Sequence, residues 1–447
     1  MQQILYLPRN GCALHGSLQT LLGLKGVVPV VHGTAGCAYQ NYLAAHSGAA
    51  GENSLYAEAV PGTAMQERHI IFGGASRLRE QIKNVVKVVE GTLYVVLNSC
   101  PSAMVGDDVD AMCREAQEQG TLVVDSLSAG FHGDVHYGYG KVLSDLFGSL
   151  EKILGLNPVL EGEQASKADF PVVNVFGILP KRDVYYKGDI AEIARLLSGA
   201  NLCANTFFNA EAALPQLARA KNAALSIVFG RWGLEAAQKL ESLYGVPYLQ
   251  LESVPIGIEA SKEFLIAVAE KLAFSQEQHS TLEEFLEREA KRYRYYLSSL
   301  TEILYELHAG RKVAIVADES RVRSYERFLR ETFGAKVQTA VITDFFATET
   351  DTEDDERKKL GGIAENLYFT QDSSEINRLL SFDESDVILA SSLEASAAEN
   401  RETPLLPVSY PIAGFAALTK THVGINGALT LAEEYVQSLY KKNGNRI

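Results

Sequence analysis

Apolar residues along this chain follow two rhythms. In the first they form unbroken runs rich in Val, Ile and Leu: "VVPVVHG" (27–33), "LYVVLNS" (93–99), "TLVVDS" (121–126), "PVVNVFG" (171–177), "ALSIVFG" (224–230), "KVAIVAD" (312–318), "AKVQTAVIT" (335–343) and "DVILASS" (386–392). In the second they recur every three or four positions, as in "ASRLREQIKNVVKVV" (75–89) and "GLEAAQKLESLYG" (233–245). Runs of the first kind, alternating with helices of the second, predict buried parallel strands covered on both faces. The expected fold class is α/β: three Rossmann-like domains, each a parallel sheet covered by helices. The N-terminal α/β domain is expected over 1–165, with a soft boundary at "GLNPVLEGEQASKADFP" (155–171). A middle α/β domain over 166–300 ends in one or two long charged helices within 274–307, solvated or bracing. A C-terminal α/β domain over 301–447 opens at "GRKVAIVAD" (310–318), and its "ATETDTEDDERKKLGG" (347–362) reads as charged surface.

Length supports this division, because 447 residues exceed what one ordinary core organises. No apolar stretch reaches the length of a membrane span. The opening "MQQILYLPRNGCALHG" lacks the features of a secretory signal, so the expected compartment is the cytoplasm. A net charge of −15 disfavours nonspecific binding to nucleic acid or to an anionic membrane.

The cysteines change the picture. There are five, an odd number that argues against a disulfide framework, and four lie in the first 113 residues. Cys12, Cys37 and Cys100 each lie beside Gly or Pro, and the last two follow predicted strands. The carboxyl edge of a parallel sheet is where open α/β folds place ligands. Three thiolates suit zinc or iron–sulfur chemistry, with small buried residues as the plainer alternative. Separations of 25 and 63 residues do not match a zinc ribbon. Three cysteines are one ligand short of an ordinary four-iron cluster, so another chain could complete the set. Cys113 falls on an apolar helix face with Val109, Met112 and Ala116 and reads as core, and Cys203 is also expected to be buried.

Six segments, in order, resemble the nitrogenase component 1 family and its nitrogenase-like reductases. They are "CALHG" at Cys12, "VHGTAGCAY" at Cys37, "ERHIIFGGASRLREQI" (67–82), "NSCPSAMVGDDVDAM" (98–112), "VPIGIEASKEFL" (254–265) and "SYPIAGFAALTKTHVGINGALTLAEE" (409–434). The resemblance implies that Cys12, Cys37 and Cys100 ligate an iron–sulfur cluster shared with a partner subunit, of the 8Fe–7S P-cluster type or 4Fe–4S. It further implies a homologous partner in an α2β2 heterotetramer, or a homo-oligomer, and electrons arriving from a separate ATP-dependent iron protein. The implied function is a subunit of a nitrogenase-like reductase, in the direction of methylthio-alkane reductases. The alternative is a scaffold for cofactor assembly.

Departures from the family pattern bear on a second metal cofactor. Family members that carry one hold it through a cysteine in the middle domain and a histidine near the C-terminus. "LSIVFGRWG" (225–233) contains no cysteine, and Val423 aligns with the histidine, leaving neighbouring His422 as the candidate. Asp107 and Asp108 suit the first turn of a helix, where carboxylates meet free amides. His32 suits a structural hydrogen bond. Ser128 lies near a position where some relatives place a cluster-binding serine, but Gly130 aligns there. His132 and His136 are candidates for lining an interface or substrate region. The aromatic "KRYRYYL" (291–297) suits packing better than base stacking in an acidic chain. A nucleotide- or sugar-binding role finds neither a G-x-G-x-x-G nor a P-loop.

Overall fold

The computed structural model describes residues 6–38, 60–156, 170–307, 310–345, 352–413 and 416–442. They form three parallel sheets covered by helices, distributed over two compact units.

One unit comprises Gly11–Lys181 and Asn201–Gln250. Its first sheet orders β1 (Val27–His32), β2 (Leu93–Asn98) and β3 (Val123–Ser126) side by side, with His32 opposite Asn98 at the carboxyl edge. All six residues of β1 and of β2 are buried, which explains their unbroken apolar runs. Against one face pack the helices Ala75–Val88, through Leu78, Ile82 and Val85, and Val109–Glu118, through Val109, Cys113 and Ala116. The helices Ala13–Leu22 and Val135–Gly148 also pack on the sheet and cross each other closely. Two glycines permit that crossing. A methyl on Gly16 would lie 1.9 Å from the Val135 carbonyl oxygen, and one on Gly138 2.0 Å from that of Ala13. The second sheet of this unit runs β5 (Cys203–Asn205), β4 (Val172–Phe176), β6 (Leu225–Phe229), β7 (Tyr248–Leu251). Phe147, Phe176 and Phe207 form a buried aromatic trio, with ring centroids 5.3 to 5.9 Å apart.

The other unit takes Arg182–Ala200, Leu251 onward and the segment before Gly11. Its sheet runs β10 (Asn366–Phe369), β9 (Lys336–Ile342), β8 (Lys312–Ala317), β11 (Val387–Ala390), β12 (Leu405–Pro407). The order steps outward from β8 in both directions, as in a doubly wound fold. The helices Tyr186–Gly199, Ile258–Lys271 and Gln276–Ser298 surround the C-terminal helix Gly424–Lys442. Glu192 closes the amino end of that helix by accepting the amides of Ile425 and Asn426, 3.1 Å each. The charged stretch over 274–307 resolves into two helices, Gln276–Ser298 and Thr301–Leu307. Tyr293 faces inward there, whereas Tyr295 and Tyr296 are exposed. Near the start of the chain Arg9 is buried, bonded to Glu394, to Ser391 Oγ at 2.6 Å and to the Tyr410 carbonyl at 3.0 Å. Asn10 donates to the Thr343 carbonyl at 2.8 Å.

Candidate functional site

The carboxyl edge of the first sheet brings the three N-terminal cysteines together. Cys12 is the residue before helix Ala13–Leu22, whose first amide donates to the Gly133 carbonyl at 2.8 Å. The close crossing at Gly16 and Gly138 fixes where that helix starts. Cys100 opens the short helix Cys100–Val105, after the capping residue Ser99. Ser99 and Ser102 both donate to the His32 carbonyl, at 2.7 and 2.8 Å, so the end of β1 braces the Cys100 turn. Cys37 follows β1 by five positions, its Sγ 3.8 Å from Thr34 Oγ1.

Gly130 is where two of the sulfurs meet. Its N–H donates to Cys100 Sγ at 3.1 Å. A methyl added to Gly130 would lie 2.8 Å from Cys12 Sγ and 3.2 Å from Cys100 Sγ, so both sulfurs press on a bare α-carbon. Cys37 lies close enough for the charges of Cys12 and Cys100 to act on it. Burial pushes the Cys37 thiol up, Thr34 only partly offsets this, and the two neighbouring cysteines add to the rise. A thiol whose ionisation is opposed by burial and by neighbouring sulfurs is a donor that a cation stabilises. At Cys12 burial acts upward too, but the hydrogen bond and charge of His15 outweigh it and hold the thiol below its ordinary value. His15 Nδ1 lies 3.3 Å from Cys12 Sγ. Among the described residues, no group of three His, Cys, Asp or Glu is arranged around a single metal ion. The sulfurs of Cys12 and Cys100 converge instead on the Gly130 backbone.

Several large apolar side chains are exposed. Phe72 is 86% exposed at the end of helix Glu67–Phe72, and Met104 is 80% exposed on the Cys100 helix. Ile71, Leu127 and Phe131 are exposed as well. Met104 shares the Cys100 helix and Phe131 follows Gly130, so exposed apolar side chains lie near the thiols in sequence, and patches of that kind are typical of surfaces that bind other proteins.

The other candidates fall outside this convergence. His32 is fully buried, bonded to Thr63 Oγ1 at 3.1 Å and Asp107 Oδ2 at 3.0 Å. Burial lowers its pKa, and Asp107 only partly offsets that. Asp108 caps the helix Val109–Glu118 through the Ala111 amide, as expected for a carboxylate there. Asp107 differs, because it accepts from the Gly74 amide at 2.7 Å and faces His32. Ser128 is buried beside Ser126, with their hydroxyls 3.0 Å apart. His136 is buried between Asp134 and the Trp232 ring, while His132 is exposed next to Phe131. Cys113 is core, and burial pushes its thiol up. Cys203 is only partly buried, because its strand lies at a sheet edge.

In the other unit His422 is fully buried. Its Nδ1 lies 3.0 Å from the Tyr325 hydroxyl and its Nε2 2.8 Å from Glu434 Oε2. Burial lowers its pKa, and Glu434 only partly offsets this. Both ring nitrogens are therefore engaged within the chain.

The roles of His15 and Gly130 escaped the sequence reading. A Cys followed three positions later by His, at a helix start, is the one signal that could have found His15, since such residues share a helix face. Gly130 enters the sequence reading only as the residue aligned with a cluster-binding serine of some relatives, and nothing in its own neighbourhood marks it as a seat for sulfur.

The family model for nitrogenase component 1 type oxidoreductases matches residues 12–440. A nitrogenase molybdenum-iron protein alpha chain from Methanosarcina barkeri is 26% identical over 82% of this chain and 67% of its own length. A nitrogenase iron-molybdenum cofactor biosynthesis protein NifE from Nostoc sp. is 24% identical over 97% of this chain and 83% of its own. The solved structure described as nitrogenase Cp1 at pH 6.5 shares the fold, with a TM-score of 0.77 at 18% identity over 100% of this chain and 96% of that one. None of the described helices is long and apolar enough to cross a membrane. The chain belongs to the nitrogenase component 1 family of oxidoreductases.

Proposed function

We propose that this chain is a subunit of a nitrogenase-like reductase complex in the cytoplasm, in which Cys12, Cys37 and Cys100 hold one half of an interfacial iron–sulfur cluster. The observation that carries the reading is the convergence of two of these sulfurs on Gly130, with Cys37 beside them and an exposed apolar surface at Met104 and Phe131. A homologous subunit covers that surface and supplies the remaining ligands. A four-iron or eight-iron cluster bound there would take up and release single electrons. The residues of this chain position the thiolates, close one side of the group with the Gly130 backbone, and exclude water through Phe72, Met104 and Phe131. An ATP-dependent iron protein is the electron donor, and the reducible substrate is held at a cofactor or cavity. We further propose three domains, each built on one of the three sheets, divided near residues 165 and 300.

A second reading, a scaffold for assembling a nitrogenase-type cofactor, draws on the NifE relative as the first reading draws on the molybdenum-iron protein relatives. His422, engaged by Tyr325 and Glu434, also gives no free ligand for a resident second cofactor. Iron and sulfide analysis of the anaerobically purified complex tests the cluster, and a protein without iron sinks both readings. ATP-dependent substrate turnover with an iron protein supports the reductase. Transfer of a cofactor to an acceptor protein, without turnover, supports the scaffold.

A further inference from the structure

The motif "CALHG" contributes more than its cysteine. Helix Ala13–Leu22 places residues three positions apart on one face, so the His15 ring returns over its own amino end to Cys12. Gly11 leaves room for it, because a methyl there would lie 3.2 Å from His15 Nδ1. Its Nε2 is buried without a hydrogen-bond partner, so the contact from Nδ1 to Cys12 Sγ is what holds the ring in place.

A metal-bound thiolate carries no proton, so the only hydrogen bond available to this pair runs from Nδ1–H to sulfur. Hydrogen bonds to ligand sulfur withdraw charge from the metal and favour the reduced state. We propose that His15 is a positioning residue for the cluster, donating from Nδ1 to Cys12 Sγ and thereby raising the cluster's reduction potential. The inference rests on the cluster reading above. It adds a residue that tunes the electron-accepting level from this chain's side of the interface.

The test uses the full complex, purified anaerobically, with wild-type chain, His15→Phe and His15→Gln. Iron and sulfide are measured first, then the midpoint potential by redox titration followed by electron paramagnetic resonance. The expected result is equal iron in all three, a more negative midpoint for His15→Phe, and an intermediate one for His15→Gln, which retains a donor. Equal midpoints in wild type and His15→Phe overturn the inference and leave the cluster reading standing. Absence of iron from the wild type overturns both. If His15→Phe takes up no iron, the smaller His15→Ala carries the same midpoint comparison.

Discussion

Two regions of this molecule gather reactive side chains, and they do so in opposite ways. Around His422 every hydrogen-bonding atom of the ring is answered from within the chain, by Tyr325 and Glu434, and the ring is sealed from solvent. Around Cys100 the thiols are half-buried, two of them press on a glycine, and Met104 and Phe131 on the same helix and turn are exposed. The first arrangement is complete and stabilises the fold. The second is incomplete, because exposed apolar surface costs free energy until something covers it, and the Cys37 thiol resists ionising beside two other sulfurs. Chemistry that awaits a partner is recognised by what its own chain leaves unsatisfied.

The sharpest way to break this comparison is at Cys100. Cys100→Ala should abolish cluster iron and weaken association with the partner subunit, since metal binding couples to assembly. Full iron by elemental analysis and an unchanged elution volume would remove the contrast altogether. Next in size, Gly130→Ala should reduce cluster occupancy, because its methyl would fall 2.8 Å from Cys12 Sγ. Overpacking of this kind costs about 1–3 kcal/mol. Iron per chain in the folded variant is the readout, and full occupancy would show that the sulfurs can move aside.

The His422 side responds differently. His422→Leu should leave iron content unchanged but lower stability by about 1–3 kcal/mol, since it strands the buried Tyr325 hydroxyl and leaves Glu434 paired with Lys420 alone. Denaturant titration measures the loss, and a stability equal to wild type would count against an interlocked network. The smallest effect is on pH. His422 titrates below its ordinary value when folded, whereas the unfolded chain takes up that proton near pH 6.5. Below that point the unfolded state binds more protons, so stability falls on acidification until the folded value is passed. His32 acts in the same direction. Thermal midpoints at pH 7.5 and 5.5 should differ in that sense, and His422→Gln should narrow the difference.

Which parts could be read in advance follows from how each segment is buried. All the strands recognised as apolar runs in the second and third sheets are interior strands. The four that gave no such signal, β5, β7, β10 and β12, are the edges of those sheets. An edge strand pairs on one side only, and β7 and β10 accordingly have no fully buried residue. "YLQL" and "NLYF" therefore carry a mixed pattern that no run-based reading recovers. The membership of helix Tyr186–Gly199 was equally hidden, because it follows β4 in sequence yet belongs to the other unit. At the site, the cysteines were legible from motif and clustering. The pairing of Asp107 with His32 was not, since it spans 75 residues. Nor was the seat at Gly130, which exists only once β3 and the helix at Ala13 are folded together.

The buried pairing of Arg9 with Glu394 has a consequence for how the protein is made. The two residues are 385 positions apart. At ordinary elongation speeds a ribosome needs ~20–80 s to cover that distance. Arg9 thus leaves the ribosome long before Glu394 does. Through that interval the nascent chain carries a guanidinium without its final seat, only three residues ahead of Cys12. Closure of the Arg9 strap is in this sense timed by translation and by the slow closure of long loops.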